Sequence, residues 1–83
     1  MRKAIHDELF VHQLSELELH VPGIRQAVAG LALKLRENPE HGTKVQEDPP
    51  LWFVPLPDVA KRALGISYVF DDTRVLLLSI WIS

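Results

Sequence analysis

Apolar positions fall into two regimes along this chain. From Asp7 to Leu35 they recur every three or four residues, and from Leu51 to the end they come in short dense runs. Phe10, Leu14, Leu17 and Val21 have helical spacing among Glu8, Gln13, Glu16 and Glu18. Asp7 is placed to cap that helix, which should end near Leu19 because Pro22-Gly23 punctuates the chain. Pro22 suits the first turn of a second helix, whose stripe is Ile24, Val28, Leu31 and Leu35. Small Ala27 and Ala32 lie beside that stripe, and Lys34 and Arg36 complement the dipole in its last turn. Asn38-Pro39 stops it. The short connection predicts an antiparallel helical hairpin.

The second regime predicts strands. Glu37 to Pro50 is polar and rich in Pro and Gly, and reads as the main loop. Leu51 to Leu56 reads as a strand, at a sheet edge because Pro55 cannot donate to a ladder. Pro57 to Ala63 is either one helical turn capped by Asp58 and ending at Gly65 or a long hairpin loop, and the loop is preferred. Leu64–Phe70 and Arg74–Ser83 flank Asp71-Asp72-Thr73 as a β-hairpin. A three-residue loop pairs Leu64, Ile66, Tyr68 and Phe70 with Leu76, Leu78 and Ile80, whereas a two-residue loop would pair them with Val75, Leu77 and Ser79; the first is preferred because it joins the two most apolar faces for the helices to cover. Val75, Leu77 and Trp81 then lie on the opposite face without intrachain cover, which predicts a partner there, a second copy or another chain. Helices followed by strands give an α+β class: an N-terminal antiparallel helical hairpin packed on a three-stranded antiparallel sheet.

Composition narrows the function more than the fold. Eighty-three residues make one domain, residues 1–83. The absence of cysteine excludes a disulfide framework and thiol chemistry, and fits a reducing cytoplasm. MRKAIHDELF carries charges where a signal peptide needs an apolar run, and no window spans a bilayer. A net charge of −2 and a pI of about 6.0 argue against broad attraction to nucleic acid.

Chemistry-bearing groups are sparse. His6, His12, His20 and His41 lack metal-ligand spacing, so neither a metal nor a cofactor is expected. Asp71 and Asp72 suit a turn. The serines have no nucleophile-elbow context, and no phosphate loop is present. Lys44, Lys61, Arg62 and Arg74 are the cations near the strands. Metal-independent phosphodiester cleavage needs cations on the scissile phosphate, and Arg62 and Arg74, with Lys44 assisting, are the candidates for that role. Tyr68 is either a core residue or a base-stacking and proton-donating group.

The helix exit LRENPEHG (Leu35 to Gly42), the W-x-V of Trp52 to Val54, and ISYVFDDTRVLLLSI (Ile66 to Ile80) together resemble the RelE/ParE superfamily of toxins from type II toxin–antitoxin systems. The likeness covers about residues 10 to 82. It implies a small antiparallel sheet backed by a helical hairpin, with the family's usual first strand missing or reduced to Met1–Ile5. It further implies ribosome-dependent messenger RNA cleavage or gyrase inhibition, with a cognate antitoxin as partner. Messenger-cleaving members resemble K-x-K where this chain has Phe53 and Pro55, and carry an arginine where it has Gly65. Their C-terminal arginine and tyrosine have no counterpart before Ser83. Two functions follow: a toxin-family protein, or a non-catalytic relative that binds protein or forms a homodimer. Without a first strand, the last strand would have an open edge for dimerisation.

Overall fold

The computed structural model describes residues 2–56 and 64–82. Strand β1 (Lys3–His6) leads into helices α1 (Glu8–Glu18) and α2 (Ile24–Glu37). After one 3₁₀ turn (Pro39–His41) come β2 (Thr43–Glu47), β3 (Pro50–Pro55), β4 (Leu64–Phe70) and β5 (Arg74–Ile82). All five strands form one sheet in the order β1-β5-β4-β3-β2, with β1 parallel to β5 and every other pair antiparallel. The class is α+β, but the expected three-stranded antiparallel sheet is replaced by a five-stranded mixed one.

The two further strands, β1 and β2, are edges, and that is why no apolar run marks either of them. β2 lies in the polar stretch expected to be loop, and all five of its residues are exposed. Backbone bonds to β3 hold it, so it needs no apolar face. β1 is four residues long and pairs Lys3 to His6 with Arg74 to Leu77. The first strand is therefore present, and β5 lies between β1 and β4. The last-strand edge expected to be open for dimerisation is closed by β1 from Arg74 to Leu77; past it no strand among the described residues pairs with Leu78–Ile82 on that side, where the Ile80 N–H is taken by a side chain of α1.

β3 is interior as well, between β2 and β4. Pro55 is accommodated because β2 reaches only as far as Phe53 along it. On the other side the Leu56 N–H donates to the Leu64 carbonyl, so Pro55 occupies the neighbouring pair that exchanges no bond with β4.

The helices follow the sequence closely. The Asp7 carboxylate accepts the Leu9 N–H at 3.2 Å as the α1 cap. Phe10, Leu14, Val21, Ile24, Val28, Leu31 and Leu35 are buried. Pro22 precedes α2 rather than opening it, because Gly23 takes the cap position at φ +83°, a left-handed conformation that favours glycine. Among the described residues no helix is long and apolar enough to cross a membrane.

Leu64, Ile66 and Tyr68 of β4 face the helices in the same core as Val54 and Leu56. The partner register differs from the one expected. Near the turn Phe70 pairs with Val75 and Tyr68 with Leu77, but beyond it Ser67 pairs with Ser79 and Ile66 with Ile80. Leu78 is the extra residue of a bulge, and it reverses which alternate positions of β5 face inward. Val75 and Leu77 are consequently fully buried under the helices, and Ile80 replaces them as the inward position past the bulge. The Ile80 N–H donates to Gln13 Oε1 of α1 at 2.7 Å.

Candidate functional site: the outer face of the sheet

Because both helices pack into one core, the second face of the sheet has no described element over it. Alternation along each strand assigns its residues. Ala4, Trp52, Tyr68 and Val75 belong to the core side, which puts Ile5, Leu51, Phe53, Val69 and Leu76 outward. All five are half-buried. Trp81, paired with Gly65, extends the surface and is 57% exposed. A depression of about 210 Å³ lies at the hairpin end, lined by Ile5, Val69, Phe70, Asp71, Arg74 and Leu76.

Among the described residues an apolar face thus stands without intrachain cover, and its membership differs from the one expected. Of Val75, Leu77 and Trp81, only Trp81 is on it. The first two are core residues, and Leu76 and Val69 stand where they were expected.

At the centre of this face the Phe53 ring lies directly over Gly65. A Cβ on Gly65 would collide with the far end of that ring. Beside it Ser67 and Ser79 face each other across the strands and share a hydroxyl–hydroxyl hydrogen bond. These are the positions at which the resemblance expects cations: Phe53 stands in place of a lysine, and Gly65 in place of an arginine. An aromatic ring packed on a glycine presents neither charge nor proton donor to a phosphate.

The candidate catalytic cations do not converge. Lys44, on the core side of edge strand β2, has its ammonium 5.6 Å from the centre of the Trp52 ring and 3.8 Å from Glu47. Arg74 is on the outer side of β5, three strand spacings away, or about 14 Å. Its guanidinium lies 3.3 Å from Asp71. Lys44 and Arg74 therefore occupy opposite faces and cannot grip one phosphate. Arg62, like the segment Pro57 to Ala63 expected to be loop, lies outside the described residues. His6, His12, His20 and His41 are all exposed, and among the described residues no three His, Cys, Asp or Glu side chains gather as a metal site.

Tyr68 is fully buried, and its hydroxyl donates to the Pro39 carbonyl at 2.6 Å. The same oxygen accepts the Gly42 N–H at 3.1 Å. Burial pushes the phenol pKa above its ordinary value, while the Gly42 bond pulls it the other way. The ring is closed to any base, so the core reading of Tyr68 holds. This clamp also gives LRENPEHG a physical meaning. The exit from α2 must bring a buried Pro39 carbonyl and a side-chain-free Gly42 to one hydroxyl, and a Cβ on Gly42 would stand 2.6 Å from the Phe53 carbonyl oxygen.

Asp71 belongs to the turn. Its carboxylate accepts the Thr73 and Arg74 N–H groups, each at 2.8 Å, and the Thr73 hydroxyl. Those bonds bring its pKa down to about 2. Aspartate here is turn chemistry, as its position between two apolar runs implied.

Compared with known proteins, the sequence matches no protein-family model and no curated protein.

Proposed function

We propose that this chain is a RelE/ParE-like protein of a type II toxin–antitoxin pair that works in the cytoplasm by binding other proteins rather than by cutting RNA. The observation that carries the reading is the outer face of the sheet. It is apolar from Ile5 to Trp81, and Phe53 lies on Gly65 where the resembled messenger-cleaving proteins carry cations. A strand before the first helix, as that family has, adds support, since β1 supplies it. In this reading the outer face is covered by a cognate antitoxin, and inhibition of a protein target such as gyrase is the toxic activity compatible with the site. Neither a phosphate clamp nor an accessible tyrosine is available for cleavage among the described residues.

The test is induction of the chain in bacteria, alone and together with the product of the adjacent gene. Growth arrest with intact messenger RNA, relieved by a neighbour product that co-purifies with the chain, is the expected result. Cleaved messenger RNA that persists in a Lys44→Ala/Arg62→Ala/Arg74→Ala variant would return the search to an active site elsewhere. Normal growth with no co-purifying neighbour would overturn the toxin–antitoxin reading.

A further inference from the structure

Past Leu77, among the described residues, β5 has no strand beside it on the β1 side, and helix α1 runs there instead. The Asp7 N–H donates to the Leu77 carbonyl at 2.9 Å, and further along α1 the Gln13 Oε1 accepts the Ile80 N–H at 2.7 Å. From Asp7 to Gln13 a helix rises about 9 Å, and from Leu77 to Ile80 a strand advances about 10 Å, so α1 keeps pace with β5. A depression of about 310 Å³, lined by His12, Gln13, Glu16, Leu17 and Ile80, opens to solvent at this place. A strand edge is a template for another chain unless charge, proline or a bulge blunts it. The other two edge strands are blunted: β2 carries Lys44, Glu47 and a bulge, and β1 carries Lys3. Val75 to Ile82 has neither charge nor proline and is rich in β-branched and aromatic residues, the composition that pairs with its own kind. Its protection at Ile80 is one carboxamide.

We infer that Gln13 keeps β5 from pairing with the β5 of a second copy of this chain, by holding the N–H that such a pair has to use. The strand itself selects that occupant. Laid antiparallel about Ile80, two copies of β5 set Leu78 against Ile82 and Ser79 against Trp81, a register with no like charges to oppose it. Ile80 then opposes itself at the centre, and each Ile80 N–H would donate to the other Ile80 carbonyl. With Gln13 in place that donor is spent. The same bond ties α1 to the edge, so its loss frees the donor and lets the helix withdraw. The inference is independent of what the outer face binds.

Sedimentation velocity on the purified full chain reads the effect, over a wide range of concentration. Gln13→Ala should self-associate about tenfold more tightly than wild type, the worth of one hydrogen bond freed for the partner. Gln13→Glu keeps an acceptor for the Ile80 N–H and should sediment as wild type does. Adding Leu78→Lys to Gln13→Ala puts a charge on the edge and should restore the wild-type distribution. Val28→Ala truncates a buried side chain of α2 and controls for lost stability; it should not associate. A merely structural glutamine would cost Gln13→Ala stability without moving its sedimentation. Hydrogen exchange on the wild type needs no variant, and there the Ile80 amide should exchange slowly. Should Gln13→Ala not fold, that measurement decides alone. Fast exchange at Ile80, or wild-type association through β5, would overturn the inference. So would Gln13→Ala no more associated than wild type, Gln13→Glu or Val28→Ala as associated as Gln13→Ala, or association that survives Leu78→Lys.

Discussion

Replacing Tyr68 with phenylalanine tests whether this residue is a clamp. The substitution keeps the buried ring and deletes one oxygen, which serves the Pro39 carbonyl at 2.6 Å and the Gly42 N–H at 3.1 Å. Pro39 is buried, and leaving a buried acceptor without its donor costs about 1–3 kcal/mol. Gly42 is half-exposed, so its N–H can turn to water and adds less. A loss of about 2 kcal/mol is expected, from a total on the order of 5 kcal/mol for a domain of this size. That corresponds to a fall in melting temperature of roughly 8–16 °C. Urea unfolding followed by circular dichroism measures it, and hydrogen exchange at Thr43–Glu47 should show β2 losing protection before the rest of the sheet. The pH dependence has a definite sign. A phenol whose pKa is raised by burial stabilises the fold fully below its ordinary value near 10, and that contribution is lost as pH rises through the folded value. The gap between wild type and Tyr68→Phe should therefore narrow above pH 10. A stability change under about 0.5 kcal/mol at neutral pH would refute the clamp, since a buried carbonyl left without its donor cannot cost so little.

The two glycines on either side of Phe53 should respond differently to alanine. At Gly42 the obstacle is the Phe53 backbone oxygen, which cannot step aside, and overpacking should cost about 2–3 kcal/mol by urea unfolding. At Gly65 it is the far end of the Phe53 ring, which can swing outward, so Gly65→Ala should cost about 1 kcal/mol or less and expose Phe53. Asp71→Asn should lower the melting temperature at neutral pH, with the difference from wild type shrinking as pH falls from about 4 to about 2. The Asp71 carboxylate is held down to about 2, so its contribution is complete above the ordinary range and disappears as it protonates. Lys3→Glu should raise stability by about 0.2–1 kcal/mol in thermal melts, and a decrease would show that Lys3 and Arg74 do not feel each other.

Most of the core was legible from spacing alone, because each buried helical position repeats at a period that only one face can satisfy. Phe10, Leu14, Ile24, Val28, Leu31 and Leu35 are such positions, and Asp7 announces its cap chemically. Edge strands carry no such signal. Thr43–Glu47 and Lys3–His6 are held by ladders whose partners lie elsewhere in the sequence, so polar residues suffice there. The outer face was half legible. Its existence follows from a last strand with apolar residues on both faces, but membership depends on parity, and one extra residue at Leu78 inverts parity for everything between it and the turn. Trp81 lies beyond the inversion and was read correctly, while Val75 and Leu77 lie before it and were not. The cations were chosen by chemical type, which cannot tell that Lys44 and Arg74 point to opposite sides of the sheet.

Phe53 and Gly65 also bear on how the resemblance should be weighed. Taken as separate departures from a cationic pattern, they would be two losses. In the folded chain they are one arrangement, since the far end of the ring occupies the place a side chain at residue 65 would take. An arginine at 65 would have to displace the ring, and a lysine at 53 would leave the glycine bare and open a gap beside the Ser67–Ser79 pair. Restoring either cation alone would therefore weaken the sheet without rebuilding a phosphate site. The coupled pair is a surface packed around apolar contact, and that is the physical reason behind the proposal that the face binds protein rather than RNA.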